Sequence, residues 1–99
     1  MNIVSTTENN TLKVVLEGRI DTDSSAELKE HLVDKICDAD EIEFDFGRVE
    51  YISSAGLRVF MWLNRQKNGQ PEHIVIVNMN ETVKTVFELT GFTGIVTVK

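Results

Sequence analysis

Two adjacent hydroxyl side chains, Ser53 and Ser54, stand where a helix is predicted to begin. The N-terminus of a helix carries unpaired N–H groups and a partial positive charge, so a phosphate esterified there is favoured electrostatically. Ala55 and Gly56 follow directly. Because their side chains are small, they would not obstruct the access of a kinase to the serine. Serine is also among the commonest N-cap residues. The residues alone therefore favour simple capping and leave phosphorylation open.

Asp45 also invites a chemical interpretation, because this acid lies between apolar neighbours in a predicted strand. An aspartyl-phosphate receiver domain would place such an aspartate at the tip of its strand and a lysine late in the chain. Here Phe46 follows Asp45 before the predicted turn, and the stretch 74–80 contains no lysine. We therefore expect Asp45 to face solvent or the N–H groups of a loop.

Other catalytic and metal-binding patterns are absent from the sequence. Neither serine has the Gly-x-Ser-x-Gly frame of a serine hydrolase, and His31 and His73 are expected at the surface. No His or carboxylate pair has the spacing of metal ligands, and the lone Cys37 cannot form an internal disulfide or a Cys-rich zinc site. The sequence therefore predicts a protein that is not an enzyme and needs no metal.

The elements that position these residues follow from hydrophobic periodicity and from the Gly, Pro and Asn punctuation. Strands are predicted at residues 2–7, 12–17, 41–46, 73–78 and 95–98, and helices from Asp23 or Ser24 to about 38, from Ser53 or Ser54 to about 67, and from 80 to 89. Strands that alternate with helices imply right-handed crossovers and a mostly parallel sheet, with the first strand antiparallel to the second. We therefore predict a single α/β domain of order β-β-α-β-α-β-α-β, in which Gly47 ends the third strand.

The carboxyl ends of parallel strands meet at one edge of a sheet, and ligands bind there in such folds. This edge is predicted to carry the segments 18–23, 47–54 and 78–80. We therefore expect Asp21 and Asp23 to lie close to the two serines.

The first and third predicted helices are amphipathic, whereas the second is apolar over most of its circumference and is expected to be well buried against the sheet. The first helix gathers Ala26, Leu28, Leu32, Val33, Ile36 and Cys37 on its apolar side and Glu27, Glu30, Asp34 and Asp38 on its polar side, and the third helix is expected to turn Val83, Val86, Phe87 and Leu89 inward. The acidic side of the first helix is either merely solvated or steers a basic partner. In the second helix, Trp62 lies in line with Arg58 and Arg65. This stripe either extends a docking surface or packs against a neighbouring helix whose acids meet the arginines.

Net charge limits the classes of partner. The 99 residues include 16 acidic and 10 basic side chains, giving a formal charge of −6, and the acidic surplus lies within residues 1–50. Nucleic-acid binding needs clustered Lys and Arg, so it is not expected. No apolar run approaches a membrane span and the start of the chain lacks the features of a signal peptide, so we expect a cytoplasmic protein without membrane insertion.

Three stretches together resemble the STAS domain family, in its stand-alone form as an anti-sigma factor antagonist. They are Gly18 to Asp21 followed by Ala26, Phe44 to Phe46, and the stretch from Tyr51 to Arg58. The last is similar to the family signature, in which an Asp or Ser precedes the phosphoacceptor serine and a small residue and Gly-Leu follow. This sequence has Ser53 where many members have Asp, and Arg58 where some have Gly. The resemblance implies that residues 1–99 form one STAS domain.

The resemblance also implies a switch between partners. Ser54, with Ser53 as the alternative, would be the phosphorylated residue. The unphosphorylated protein would bind an anti-sigma factor that is also a serine kinase and so free the sigma factor, and a PP2C-type phosphatase would reset the switch. The kinase would supply its own ATP and Mg²⁺, so the domain itself would hold no cofactor. The expected docking surface comprises Asp21, Asp23, Ser53, Ser54, Ala55, Gly56, Leu57, Arg58 and Trp62. The alternative is an accessory or scaffold module of a transporter or signalling complex, without serine phosphorylation.

Overall fold

A computed structural model describes residues 1–99. The chain forms five strands and three helices, which turns and loops connect. The elements are β1 (Asn2–Glu8), β2 (Thr11–Ile20), α1 (Thr22–Leu32), β3 (Glu41–Ile52), α2 (Ser54–Gln66), β4 (Ile74–Val77), α3 (Glu81–Leu89) and β5 (Thr97–Val98), with short 3-10 turns at Ile36–Asp38, Pro71–His73 and Phe92–Gly94. The order confirms the predicted α/β fold. None of the helices has both the length and the apolar character needed to cross a membrane.

The sheet runs β1-β2-β3-β4-β5 in sequence order. β1 is antiparallel to β2, and every later pair of neighbours is parallel. Asn9 and Asn10 make the hairpin turn with φ angles of 50° and 65°, a left-handed conformation that asparagine tolerates better than most residues. The predicted hairpin and mostly parallel sheet are therefore confirmed.

One hydrophobic core joins the three helices to one face of the sheet. Alternate residues of β2 and β3 are buried in it, and the rings of Phe44, Phe46, Phe60 and Phe87 meet edge to face with centroids 5.0 to 6.4 Å apart. Burying such a side chain contributes roughly 1.5–3 kcal/mol, and each aromatic pair adds about 0.5–1.5 kcal/mol. This core fixes α2 and α3 against β3.

The third strand is longer than predicted. It continues past Gly47 to Ile52, and its pairing with β2 shifts register between Val15 and Glu17. Near this register shift, the Gly47 N–H donates a hydrogen bond to the Asp45 carboxylate at 2.8 Å, and the strand continues beyond it. The prediction that Gly47 ends the strand was therefore wrong, because pairing with the long β2 carries the strand onward.

The first helix is shorter than predicted. It ends at Leu32, and Ile36 to Asp38 form a separate 3-10 turn. Negative charge at Asp34 and Asp38 is unfavourable near a helix C-terminus, and the Lys67 ammonium binds the carbonyls of Ile36 and Ala39 in the connection to β3. As a result, the predicted acidic stripe does not continue along one helix.

Burial corrects four further predictions about side-chain placement. Cys37 was expected in the core but is exposed, and so are Val33 and Ala26, which were expected on the apolar side of the first helix. Leu89, expected to point inward from α3, is 82% exposed. The strands β4 and β5 are also shorter than predicted. β4 spans Ile74–Val77, because His73 lies in a 3-10 turn and Asn78 has a φ of 62°. β5 contains only Thr97 and Val98, which pair with Val75 and Ile76.

Candidate functional site

The end of β3 leads directly into α2 through Ser53. This residue has extended backbone angles, and its hydroxyl accepts a hydrogen bond from the Gly56 N–H at 3.2 Å, so it is the N-cap of α2. Its own N–H donates to the Ile20 carbonyl at 2.8 Å. Ser53 therefore acts as a helix cap, and its hydroxyl oxygen is engaged in a hydrogen bond with the backbone of α2.

Ser54 occupies the first helical position and differs from Ser53 in its surroundings. It is exposed, and its hydroxyl makes no hydrogen bond within the chain. No acidic residue lies in the first turn of α2, so the partial positive charge of the helix N-terminus is not neutralised there. Of the two serines, only Ser54 presents a free hydroxyl at this helix end.

Gly56 allows the first turn of α2 to lie against the strand ends. A Cβ atom at Gly56 would lie 2.6 Å from the Cγ1 atom of Ile52 and 2.7 Å from the Cγ2 atom of Ile20. Leu57 is 5% exposed and belongs to the core, whereas Ala55 is half-buried. Of the expected docking residues, Gly56 and Leu57 therefore hold the serines in position from beneath the surface.

Asp21 begins α1 beside the start of α2, because Ile20 and Ile52 are paired residues at the ends of β2 and β3. The Asp21 carboxylate accepts the Ser24 N–H at 3.0 Å, and the Ser24 hydroxyl accepts the Asp21 N–H at 2.8 Å. The N–H and then the hydroxyl of Ser24 lower the pKa of Asp21 from its ordinary value of 3.8. Asp21 is thus a charged capping residue.

Asp23 is exposed in the first turn of α1. Asn80, which caps α3 through the Val83 N–H at 2.8 Å, also donates to the Val49 carbonyl at 2.9 Å. Three helices therefore begin along one edge of the sheet, as the sequence predicted. The edge brings Asp21, Asp23 and the two serines into one region.

Beyond the serines, the exposed ridge of α2 is basic. Ser54, Arg58 and Arg65 are exposed along it, and neither arginine makes a salt bridge. Arg65 instead donates to the Met61 sulfur at 3.4 Å. The arginines therefore do not meet the acids of α1.

Trp62 is half-buried and packs against the core. The Lys29 ammonium of α1 lies 5.0 Å from its ring centroid, within the range of a cation–π interaction. Trp62 thus contacts the neighbouring helix. Nearby, a shallow groove of about 240 Å³ separates α1 from α2, with Arg58 and Lys29 on opposite sides.

One contact at this edge was not predicted from the sequence. Arg19 and Tyr51 are partners across β2 and β3, both are exposed, and the guanidinium carbon lies 4.9 Å from the ring centroid. The expectation that β3 ends at Gly47 concealed this pairing. Asp45 was expected to face solvent or the N–H groups of a loop. It is half-buried, and its carboxylate accepts hydrogen bonds from the Gly47 N–H within β3 and from the Asn78 side chain after β4.

Comparison with known proteins places this geometry in a family. The family model described as "Mlab, STAS domain" matches residues 4–97. The chain belongs to the STAS domain family. BtrV of Bordetella bronchiseptica, a protein named as an anti-sigma factor antagonist, is 31% identical over 81 residues, which cover 81% of this STAS domain and 70% of BtrV. By sequence, the chain therefore falls within the anti-sigma factor antagonist family.

Solved structures show the same fold at low sequence identity. The unphosphorylated form of the anti-sigma factor antagonist SpoIIAA has a TM-score of 0.83 and 17% identity, and the match covers 99% of this chain and 88% of that one. The phosphorylated form of SpoIIAA from Bacillus has a TM-score of 0.75 and 16% identity, covering 99% and 91%. A Thermotoga maritima protein described as an anti-sigma factor antagonist has a TM-score of 0.86 and 18% identity, covering 97% and 84%.

Proposed function

We propose that this STAS domain binds an anti-sigma factor and that phosphorylation of Ser54 switches this binding off. The observation that carries the proposal is the difference between the two serines. The Ser53 hydroxyl caps α2 through the Gly56 N–H, whereas the Ser54 hydroxyl is exposed and free. A kinase can therefore modify Ser54 without removing the helix cap.

The electrostatics of the site support the direction of the switch. A phosphate adds roughly −1.5 to −2 charges at pH 7. Asp21 and Asp23 already place negative charge at the neighbouring start of α1. A phosphate on Ser54 would thus add bulk and like charge to a docking surface. The free domain tolerates the phosphate at a helix N-terminus, so we expect release of the partner without unfolding.

The proposed partners follow from the family. The anti-sigma factor would itself be the serine kinase and would supply ATP and Mg²⁺, and a PP2C-type phosphatase would restore the free serine. BtrV is named as an anti-sigma factor antagonist, and SpoIIAA has been solved in both phosphorylated and unphosphorylated forms. The domain itself would act as a binding protein without a cofactor.

The test combines phosphate mapping with partner affinity. The domain is incubated with a kinase-type anti-sigma factor, ATP and Mg²⁺, and tandem mass spectrometry locates the phosphate, which we expect on Ser54. Calorimetry should show that Ser54→Ala still binds the kinase after incubation with ATP and Mg²⁺, whereas phosphorylated wild type and Ser54→Asp do not bind. The circular dichroism of both variants should be unchanged.

Ser53→Ala is the matched control. Loss of the cap should lower stability by about 1 kcal/mol and leave phosphorylation at Ser54 intact. A phosphate found on Ser53 would contradict the assignment. Wild-type affinity of Ser54→Asp would refute the switch and favour the alternative of a scaffold module that never uses the serine.

A further inference from the structure

The sheet has a second face that no helix of the chain covers. All three helices pack with one set of alternating strand residues in a single core. The other set forms what we call the open face, whose central row pairs Val4 with Val15, Val15 with Asp45, and Asp45 with Val77. The face is accessible over β1, β2 and β3, whereas Val75 of β4, on the same side, is only 4% exposed. All-parallel sheets are normally covered on both faces, whereas an antiparallel pair such as β1 and β2 can leave one face in contact with water. In this sheet the parallel strands β2 and β3 share the uncovered face with that pair.

Two apolar side chains of the open face are exposed to solvent. Val4 is 60% exposed and Val15, directly opposite it, is 44% exposed. They line a shallow depression of about 370 Å³ together with Asp45, Asn2 and the Glu17–Arg48 pair. The two valines form a small apolar patch at the centre of an otherwise polar and charged depression.

The charge of the open face specifies the chemistry of that partner. By the strand register, the face carries three cations and five carboxylates, namely Lys13, Arg19, Arg48, Glu8, Glu17, Glu41, Glu43 and Asp45. Two of the cations are already paired within the face, Lys13 with Glu8 and Arg48 with Glu17, each at 3.1 Å. The third, Arg19, lies 4.9 Å from the centroid of the Tyr51 ring at the end of the face that is remote from Glu41 and Glu43. Glu41, Glu43 and Asp45 make no salt bridge, so the face remains acidic.

We propose that the open face docks an amphipathic helix of a partner protein, with an apolar stripe over Val4 and Val15 and basic residues beside Glu43 and Asp45. A helix is the element that normally covers the face of a parallel sheet. A second copy of the chain would instead bring two acidic faces together, which is unfavourable. Because α2 lies on the opposite face, this docking leaves Ser54 free, so it does not depend on the proposed phosphorylation switch.

The test uses a synthetic helical probe of about 18 residues with a leucine stripe flanked by lysines. A second peptide has the same pattern with glutamate in place of lysine. Each is titrated into the isotope-labelled domain and followed by amide chemical shifts. We expect saturable shifts on β1, β2 and β3 with the lysine peptide, unchanged shifts on α2, and no binding of the glutamate peptide.

Three variants locate the contact. Val15→Thr keeps a good strand former and should weaken binding of the lysine peptide about fourfold, as expected for the loss of one buried methyl group. Glu43→Gln should weaken it about two- to fivefold. Val33→Thr is the matched control, because Val33 is 47% exposed but lies just after α1, and it should bind as wild type does. If Val15→Thr lowers the melting temperature, Val4→Thr on the edge strand replaces it.

Several outcomes would overturn the proposal. Absence of saturable shifts, equal binding of the two peptides, or shifts confined to the helical face would each refute docking on the open face. Sedimentation that shows a dimer of the chain abolished by Val15→Thr would assign the face to a second copy instead.

Discussion

The replacement Gly56→Ala tests whether the first turn of α2 is seated on the strand ends. In an exposed helix, this change normally stabilises by about 1 kcal/mol, because alanine is the better helix former. Here the new Cβ atom would lie 2.6 Å from the Ile52 side chain and 2.7 Å from the Ile20 side chain. Favourable carbon contacts lie at about 3.5–4.0 Å, so each contact would be about 1 Å too short.

The magnitude follows from the rigidity of these neighbours. Ile20 is 0% exposed and Ile52 is 1% exposed, so neither side chain can move toward solvent. Overpacking of this kind costs typically 1–3 kcal/mol, and the expected double contact is at the upper end. After the gain in helix propensity, we expect a net loss of about 1–2 kcal/mol in the free energy of unfolding. For a domain of this size, the melting temperature should fall by about 5–15 °C.

The assay is urea unfolding followed by circular dichroism, together with a thermal melt. Gly94→Ala is the matched control, since no heavy atom lies within 4 Å of its Cβ position. This control should unfold within about 0.5 kcal/mol of the wild type. If Gly56→Ala were as stable as Gly94→Ala, the α2 N-terminus would not be held by this contact, and our explanation of how Ser54 is positioned would fail.

Two further changes test the surroundings of the site. Asp21 has a lowered pKa in the folded chain, so its charged cap stabilises the fold above pH 3.8, and this contribution is lost as the pH falls through the lowered value. In Asp21→Asn, the melting temperature should therefore fall less steeply than in wild type as the pH is lowered into the acidic range. An equally steep fall in the variant and the wild type would contradict this. Lys67→Met removes the ammonium that binds the Ile36 and Ala39 carbonyls and should cost about 1–2 kcal/mol in urea unfolding. Lys84→Met, at an exposed position, is the control, and equal losses for both variants would refute a specific role of Lys67.

Local patterns predicted most of the fold. The alternation in β2 and β3, the N-cap Asn80, and the turn at Asn9 and Asn10 are local signals, and the structure confirms each of them. The pattern also predicted that α2 begins at one of the two serines, without choosing between them. The errors fall where a distant segment decides the outcome. β3 continues past Gly47 because β2 pairs with it, and Lys67 binds the connection that follows the shortened α1.

The candidate site shows the same division. The motif indicated both serines and the neighbouring aspartates, but it could not distinguish a capping hydroxyl from a free one. That distinction depends on backbone angles at the junction of β3 and α2, which give Ser53 the hydrogen bond from the Gly56 N–H. The contact between Arg19 and Tyr51 was missed because it needs the register of two strands.

The sequence by itself determined the order of elements, the apolar faces and the family signature, because these depend on residues close together in the chain. Only the tertiary structure decided which serine is free, why Gly56 has no room for a side chain, and which face of the sheet remains open. Each of these depends on contacts between segments far apart in sequence, and such contacts form only when the strands have paired and the helices have packed on one side.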